Sequence, residues 1–228
     1  MIKRSRNCLV LNLLLKTFFI LFFLGTTSVV FSQPFRAGLS AGLVASQVDG
    51  DTYAGYNKSG LYAGGFVSKR ISPESKWTVL FELTYIQKGS RKIPHPDKGD
   101  YADYKLKLNY AEIPLLAKYD FSISDTLNDK LHFALFGGLA FGRLVKSKEW
   151  DAFGLVYGGT PFLKTDISYV LGLSYSFSQH IDFDIRTQYS VFPVRKGGTS
   201  TYYPNWTNNF LRLGYYNSML VFALKYAF

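Results

Sequence analysis

An all-β fold, an eight-stranded antiparallel transmembrane β-barrel with short periplasmic turns and four longer extracellular loops, is the architecture this sequence predicts. Three observations carry the prediction. Apolar residues recur at every second position over most of the chain, long and short connections alternate without exception, and aromatic residues collect near strand ends. Successive side chains leave opposite faces of a strand, so period two marks strands with two unlike faces and excludes helices, whose faces repeat every 3.6 residues.

Composition narrows the class before any element is placed. The 228 residues are 47% hydrophobic, 18% aromatic and 18% charged, with a formal charge of +10. Disorder needs the opposite balance of low hydrophobicity and charge excess. A mean hydropathy of +0.01 speaks against helical spans, each of which needs about 20 consecutive apolar residues. The only cysteine is Cys8, which excludes a disulfide scaffold and a cysteine-ligated metal.

Residues 1–32 read as a cleaved secretory signal peptide. Lys3, Arg4 and Arg6 form a basic start, Phe18–Leu24 an apolar stretch, and small or β-branched residues lead to a cleavage point after Ser32. Its removal takes Lys3, Arg4, Arg6 and Lys16 and no acid, which leaves residues 33–228, the barrel domain, at +6 and without cysteine. Such a chain is held by packing and hydrogen bonds alone.

Eight strands follow in order. The first is Phe35–Gln47. The second, Leu61–Arg70, has an ambiguous facing, because Tyr62 and Phe66 oppose Leu61, Ala63 and Val67. Trp77–Tyr85 sets Trp77, Val79, Phe81, Leu83 and Tyr85 against Thr78, Leu80, Glu82 and Thr84. Leu106–Phe121 and Leu131–Arg143 follow, with Pro114 marking a bulge or an edge-like break in the ladder. Asp166–Phe177 and Ile181–Val191 alternate most cleanly, and Leu220–Phe228 closes the set. Long links fall at Val48–Ser59, Gly89–Lys105, Leu144–Leu163 and Pro193–Leu213. Short ones fall at Ile71–Lys76, Ser122–Lys130 and Ser178–His180. An outer-membrane barrel alternates in this way, whereas a β-sandwich has no reason to.

Facing follows from size. Eight strands enclose a lumen only wide enough for side chains. The polar register carries small residues such as Gly38, Ser40, Gly42, Gly138, Gly172 and Ser174, and the apolar register carries bulky ones. The bulky face therefore belongs outside, against lipid. Its aromatics fall into two groups. Trp77, Tyr119, Tyr175, Phe177, Tyr226 and Phe228 form a girdle at one set of strand ends, and Tyr85, Phe141, Tyr169 and Tyr189 lie nearer the other. By parity Glu82, Glu112, Lys118, Asp182, Asp184, Arg186 and Lys225 map to the lumen. Enclosed charges are costly unless paired, so these seven read as a structural ion-pair network that plugs the barrel. A proton- or ion-conducting path is the sharper alternative.

Several stretches resemble the PorT-like outer-membrane β-barrel family typical of Bacteroidota. They are Ala41-Gly42-Leu43, Ser46-Gln47-Val48-Asp49-Gly50 with Gly55-Tyr56-Asn57-Lys58, Glu82-Leu83-Thr84-Tyr85 with Gln87-Lys88-Gly89, Tyr110–Tyr119, and Asp184-Ile185-Arg186 with Tyr189. The resemblance spans the chain beyond residue 32. It implies this fold and the outer membrane of a Gram-negative bacterium. It implies little about activity, since the family's named member, linked to secretion of tagged cargo, need not share a role with this chain. Phe228 similarly resembles the C-terminal signal read by outer-membrane insertion machinery.

No catalytic or metal constellation emerges. His95, His132 and His180 share no ligand spacing, only His95 falls on the long-link side, and no nucleophile elbow, phosphate loop or zinc pattern is present. A non-enzymatic, monomeric envelope protein without a cofactor is therefore expected, a structural or interaction protein and an accessory of a surface or secretion assembly. A narrow pore, or a lipid- or peptide-modifying enzyme, is the alternative. Basic residues in or beside the long links, Arg91, Lys92, Lys98, Lys105, Lys107, Lys146, Lys148, Lys164, Arg195, Lys196 and Arg212, suit lipopolysaccharide phosphates or a solvated loop surface. Nucleic acid is excluded as a partner across this envelope. Tyr53, Tyr56, Trp150, Tyr202, Tyr203 and Trp206 are amphipathic aromatics suited to a protein partner.

Overall fold

The computed structural model describes residues 35–51, 53, 55–124, 130–196 and 214–228. Residues 1–32 therefore lie outside the described residues, as do Tyr202, Tyr203 and Trp206. Eight long strands carry the fold: β1 Arg36–Asp49, β2 Lys58–Arg70, β3 Trp77–Lys92, β4 Tyr104–Ser124, β5 Lys130–Asp151, β6 Thr165–Ser176, β7 Ile181–Ser190 and β8 Gly214–Ala227. Each pairs antiparallel with the next. β8 returns to β1 from Gly38↔Ala227 to Asp49↔Tyr216, so the sheet is a closed ring. Closure removes the two free edges that an open sheet would expose. The described residues of the long links (50, 51, 53, 55–57, 93–103, 152–164 and 191–196) share one rim, and those of the short links (71–76 and 177–180) the other.

The two faces sort as the alternation predicts. Leu39, Leu43, Phe81, Leu83, Leu135, Leu171, Leu173, Phe222 and Leu224 are exposed on the outside, while Ser40, Glu82, Thr84, Ser168, Ser174 and Lys225 are buried. The ambiguous second strand is settled: Leu61 and Val67 point out, and Tyr62 and Phe66 point in. The lumen therefore holds bulky residues as well as small ones, with Phe136, Leu80 and Leu116 packed low and Val44, Val48, Ile86, Leu106, Leu108 and Met219 packed high. Space for these rings comes from opposing glycines. A Cβ on Gly172 would lie 2.5 Å from the Phe136 ring.

Several strands run further than the alternation predicts, among them β8, which begins at Gly214 rather than Leu220. β3 continues to Lys92, β4 begins at Tyr104 and β5 continues to Asp151, so Trp150 and the lysines flanking it sit on strands rather than in loops. The cause is a reversal of polarity. Beyond Tyr85 and Phe141 the buried positions of β4 become apolar, at Leu106 and Leu108, while Lys88 and Ser90 of β3 stay polar and buried and the outward positions become cationic. That is the pattern of a water-soluble sheet. A register shift at Asn109/Tyr110, where Val145 on β5 has no partner, also flips the parity of β5. Pro114 makes a different break. The β3–β4 ladder is interrupted between Phe81↔Leu115 and Thr84↔Glu112 with no change of register, because proline has no amide hydrogen to donate.

Gly89 has a φ of 138°, a region that side chains rarely enter. A Cβ there would fall 2.1 Å from the Leu106 carbonyl oxygen. Gly89→Ala should destabilise the barrel by about 1–3 kcal/mol. Gly65→Ala, where the nearest atom is 3.6 Å away, should stay within about 0.5 kcal/mol. Urea unfolding in detergent, read by mobility of the unheated band, measures both.

Candidate functional site

The candidate site is the lumen, where ionisable side chains stack in layers. In the central layer Glu82 on β3 meets Arg186 Nη1 of β7 at 2.8 Å and Lys225 Nζ of β8 at 2.6 Å. Lys225 also reaches Asp184 at 2.7 Å, and the Tyr62 hydroxyl donates to Glu82 at 3.0 Å. The Arg186 guanidinium lies 4.4 Å from the Tyr62 ring centroid, and Lys225 lies 5.4 Å from the Phe66 ring. Two acids thus face two bases, and aromatic faces cover the cations. All four charged groups are buried.

The layer above is built around Lys88, which meets Glu112 at 2.5 Å and Asp166 at 2.8 Å. One cation faces two carboxylates here, and neutral donors hold the excess negative charge. Gln188 donates to Glu112 at 2.9 Å, while Ser190 and Asn217 donate to Asp166 at 2.8 and 3.0 Å. Near the short rim Lys118 meets Asp182 at 3.3 Å. At the long rim Arg195 pairs with Glu149 at 2.9 Å, wedged between the Phe162 and Tyr215 rings. The Tyr104 hydroxyl also donates to Glu149, at 2.8 Å.

The seven nominated lumen residues all point inward, but they do not form one group. Glu82, Asp184, Arg186 and Lys225 come together, Lys118 and Asp182 pair separately, and Glu112 joins a layer whose other members were not nominated. Lys88 and Asp166 were missed, although extending the parity of Glu82 and Thr84 through Ile86 reaches Lys88. Ile86, an apolar residue in the polar register, hides that continuation.

The nominated aromatics form chains of ring contacts around the short rim. Trp77 lies 5.0 Å from Tyr119, Tyr175 4.8 Å from Phe177, and Tyr226 5.8 Å from Phe228. Nearer the long rim Tyr169 and Tyr189 stack at 5.8 Å. Tyr53, Tyr56 and Trp150 fold onto the barrel. Tyr53 packs 4.9 Å from Tyr104, the Tyr56 hydroxyl bonds Ser218 at 2.8 Å, and Trp150 lies under Lys105 and Lys148. Tyr101, Phe153 and Tyr157 stand further out. Among the described residues no group of three His, Cys, Asp or Glu is arranged to hold a metal ion.

Asp51 lies beyond β1 on the long rim. Burial pushes its carboxyl up to about 6, against the amide of Tyr53, which donates to it at 2.9 Å. Because the folded value exceeds the ordinary 3.8, the folded chain holds this proton more tightly than the unfolded chain. The stabilisation is complete at about pH 4 and below and is lost as pH rises through about 6. Asp51→Asn should therefore raise the thermal midpoint at about pH 7.5 and flatten its dependence between about pH 4 and 6.5. Glu82→Gln should cost about 3–5 kcal/mol by leaving Arg186 and Lys225 undercompensated. Adding Lys225→Met should recover part of that loss in denaturant titrations.

The family model described as outer membrane protein beta-barrel domain matches residues 31–195. No curated protein sequence matches the chain. Similar solved structures include the attachment invasion locus protein Ail of Yersinia pestis, in complex with the heparin analogue sucrose octasulfate. It is 14% identical, with 85% of this chain and 99% of that one covered and a TM-score of 0.44. Neisserial surface protein A is 18% identical, with 84% and 97% covered and a TM-score of 0.44. OprG from Pseudomonas aeruginosa is 13% identical, with 85% and 94% covered and a TM-score of 0.40.

Proposed function

The chain belongs to the outer membrane protein beta-barrel domain family, and from that premise we propose that it is a non-enzymatic, monomeric structural and interaction protein of the cell envelope. The observation that carries this reading is the filled lumen. From Lys118 and Asp182 near one rim to Arg195 and Glu149 at the other, layers of ion pairs alternate with packed Phe136, Tyr62, Tyr110, Leu106 and Val48. A lumen packed in this way is a rigid support rather than a route. Its paired charges fix the register of strands far apart in sequence, because a one-residue slip would turn each charge toward lipid.

The working surface is then the outside of the barrel and its long rim. The girdles formed around Trp77, Tyr119, Tyr175, Phe177, Tyr226 and Phe228, and around Tyr169 and Tyr189, place the apolar belt between the two membrane interfaces. The short rim faces the periplasm, and the long rim, with the exposed Tyr101, Phe153 and Tyr157, faces outward. Its partners are the surrounding lipids, lipopolysaccharide included, and an envelope protein engaged through the long links. The motif from Tyr110 to Tyr119 supports the narrower PorT-like placement, and with it an accessory role in a surface or secretion assembly. Residues 1–32 serve as the cleaved export signal.

A narrow pore is the second reading, favoured by the succession of charged layers down the axis, which would be the stations of a conducting path. Planar-bilayer recording separates the two. The folded barrel should show no unitary conductance at about 100 mV, and stepwise openings abolished by Lys88→Met would replace the scaffold reading with the pore.

A further inference from the structure

Resting on the outer-membrane reading, we infer that the outward face of the β3–β4–β5 extension is a binding site for the phosphates of a lipopolysaccharide molecule in the outer leaflet. Six cations occupy this face: Arg91 on β3, Lys105 and Lys107 on β4, and Arg143, Lys146 and Lys148 on β5. Register places two like-charged pairs directly opposite one another, Arg91↔Lys105 and Lys107↔Lys148. Such pairs are unfavourable in a sheet. Among the described residues none of the six forms an ion pair, although several other basic residues of the barrel do. Residues 52, 54 and 197–213, outside the described residues, contain neither Asp nor Glu.

Three acids of this rim are engaged elsewhere. Glu149 is held by Arg195 and Tyr104, Asp100 by Lys92, and Asp151 accepts the amide of Phe153. The position of Glu149 depends on the bulge at Val145. Without the extra residue the alternation of β5 would carry Ser147 and Glu149 outward. With it, Lys146, Lys148 and Trp150 point out, and Glu149 pairs inward with Leu106. Lys105 and Lys148 both lie 5.7 Å from the Trp150 ring, an indole held at the level of the cations.

Height and sector identify the ligand. Arg143 lies two residues beyond the outward Phe141, Lys107 four beyond Ala111 and Arg91 six beyond Tyr85, and the exposed Val145 at the bulge is the one apolar side chain among them. With a rise of about 3.3 Å per residue and a tilt near 40°, these three cations lie roughly 5–15 Å above those positions. Headgroup phosphates occupy this depth, and acyl chains of the same molecule would run down past Phe141, Ile113 and Tyr85. The face occupies one sector, three adjacent strands, as one multiply phosphorylated lipid requires. Lysine and arginine here would make charge-assisted hydrogen bonds to the phosphate oxygens.

The test uses the full folded protein in detergent, with bis-phosphorylated lipid A as the probe. Native mass spectrometry and a titration of the thermal midpoint read binding. The native chain should retain one lipid, and Arg91→Gln/Lys105→Gln/Lys107→Gln/Lys148→Gln should bind it about tenfold or more weakly. Lys69→Gln/Lys76→Gln, at the opposite rim, should bind as the native chain does. A normal unheated-versus-boiled mobility shift shows that each variant is folded. Equal affinity in the fourfold variant, or equal affinity of the native chain for lipid A stripped of its phosphates, would overturn the site. Displacement of the lipid by inorganic phosphate at comparable concentration would reassign it to free phosphate and also overturns the lipid assignment. Recovery of the native chain in the soluble periplasmic fraction, without a mobility shift, is a different result and sinks the membrane reading itself.

Discussion

One carboxylate organises this barrel. Glu82 sits in a lumen without room for bulk water, and its charge is tolerable only because Arg186 and Lys225 reach it from strands more than a hundred residues away in sequence. The remaining packing depends on that meeting. Tyr62 enters the lumen because its hydroxyl can donate to Glu82 while its ring accepts the face of Arg186. Phe66 and Phe136 enter because Lys225 lies over both. An aliphatic filling of the same volume would pack without fixing which strand lies where. Here each charge has a specified partner, and the pairing selects a single register for the ring.

A second constraint acts along the strands rather than across them. β3, β4 and β5 pass from one environment into another, and their polarity reverses where they do. Below Tyr85 and Phe141 the outside is apolar and the inside charged. Above them Leu106 and Leu108 face in while Lys105 and Lys107 face out. The change of regime is accompanied by the bulge at Val145, which lets the partner strand keep its bonds while exchanging its two faces. Lipid and water thus demand opposite patterns from one continuous hairpin, and a single unpaired residue reconciles them.

This reversal also explains what could be read from the sequence. The alternation in Ile181–Val191 and Asp166–Phe177 identified strands, facing and the positions of Arg186 and Asp184, because those segments lie wholly within one regime. It stopped short in β3 and β5, where the rule connecting polarity to facing changes sign. Trp150 consequently reads as a loop residue from sequence alone, and Lys88 follows an apolar Ile86 that breaks its register. Asp166 is likewise absent from the lumen set read from the sequence, and no local signal joins it to Lys88, 78 positions away. The expectation that small side chains fill the lumen held for Gly172 and Ser174. It underestimated Tyr62, Phe66 and Phe136, whose place depends on glycines and cations supplied by neighbouring strands. Pairing partners are a property of the closed ring and cannot be deduced strand by strand.

The seam between β1 and β8 has a consequence for biogenesis. Gly38 pairs with Ala227 and Asp49 with Tyr216, so the first and last strands complete one another and no intermediate set of strands is free of edges. A partly assembled barrel in hydrocarbon would carry two rows of unsatisfied amides and carbonyls, each costing several kcal/mol. Tyr226 belongs to the strand whose pairing with β1 spans the longest sequence separation in the ring. The chain therefore cannot enter the membrane hairpin by hairpin as an autonomous process. Either the ring forms nearly at once, or the open flanks of β1 and β8 are held by another sheet until they find each other.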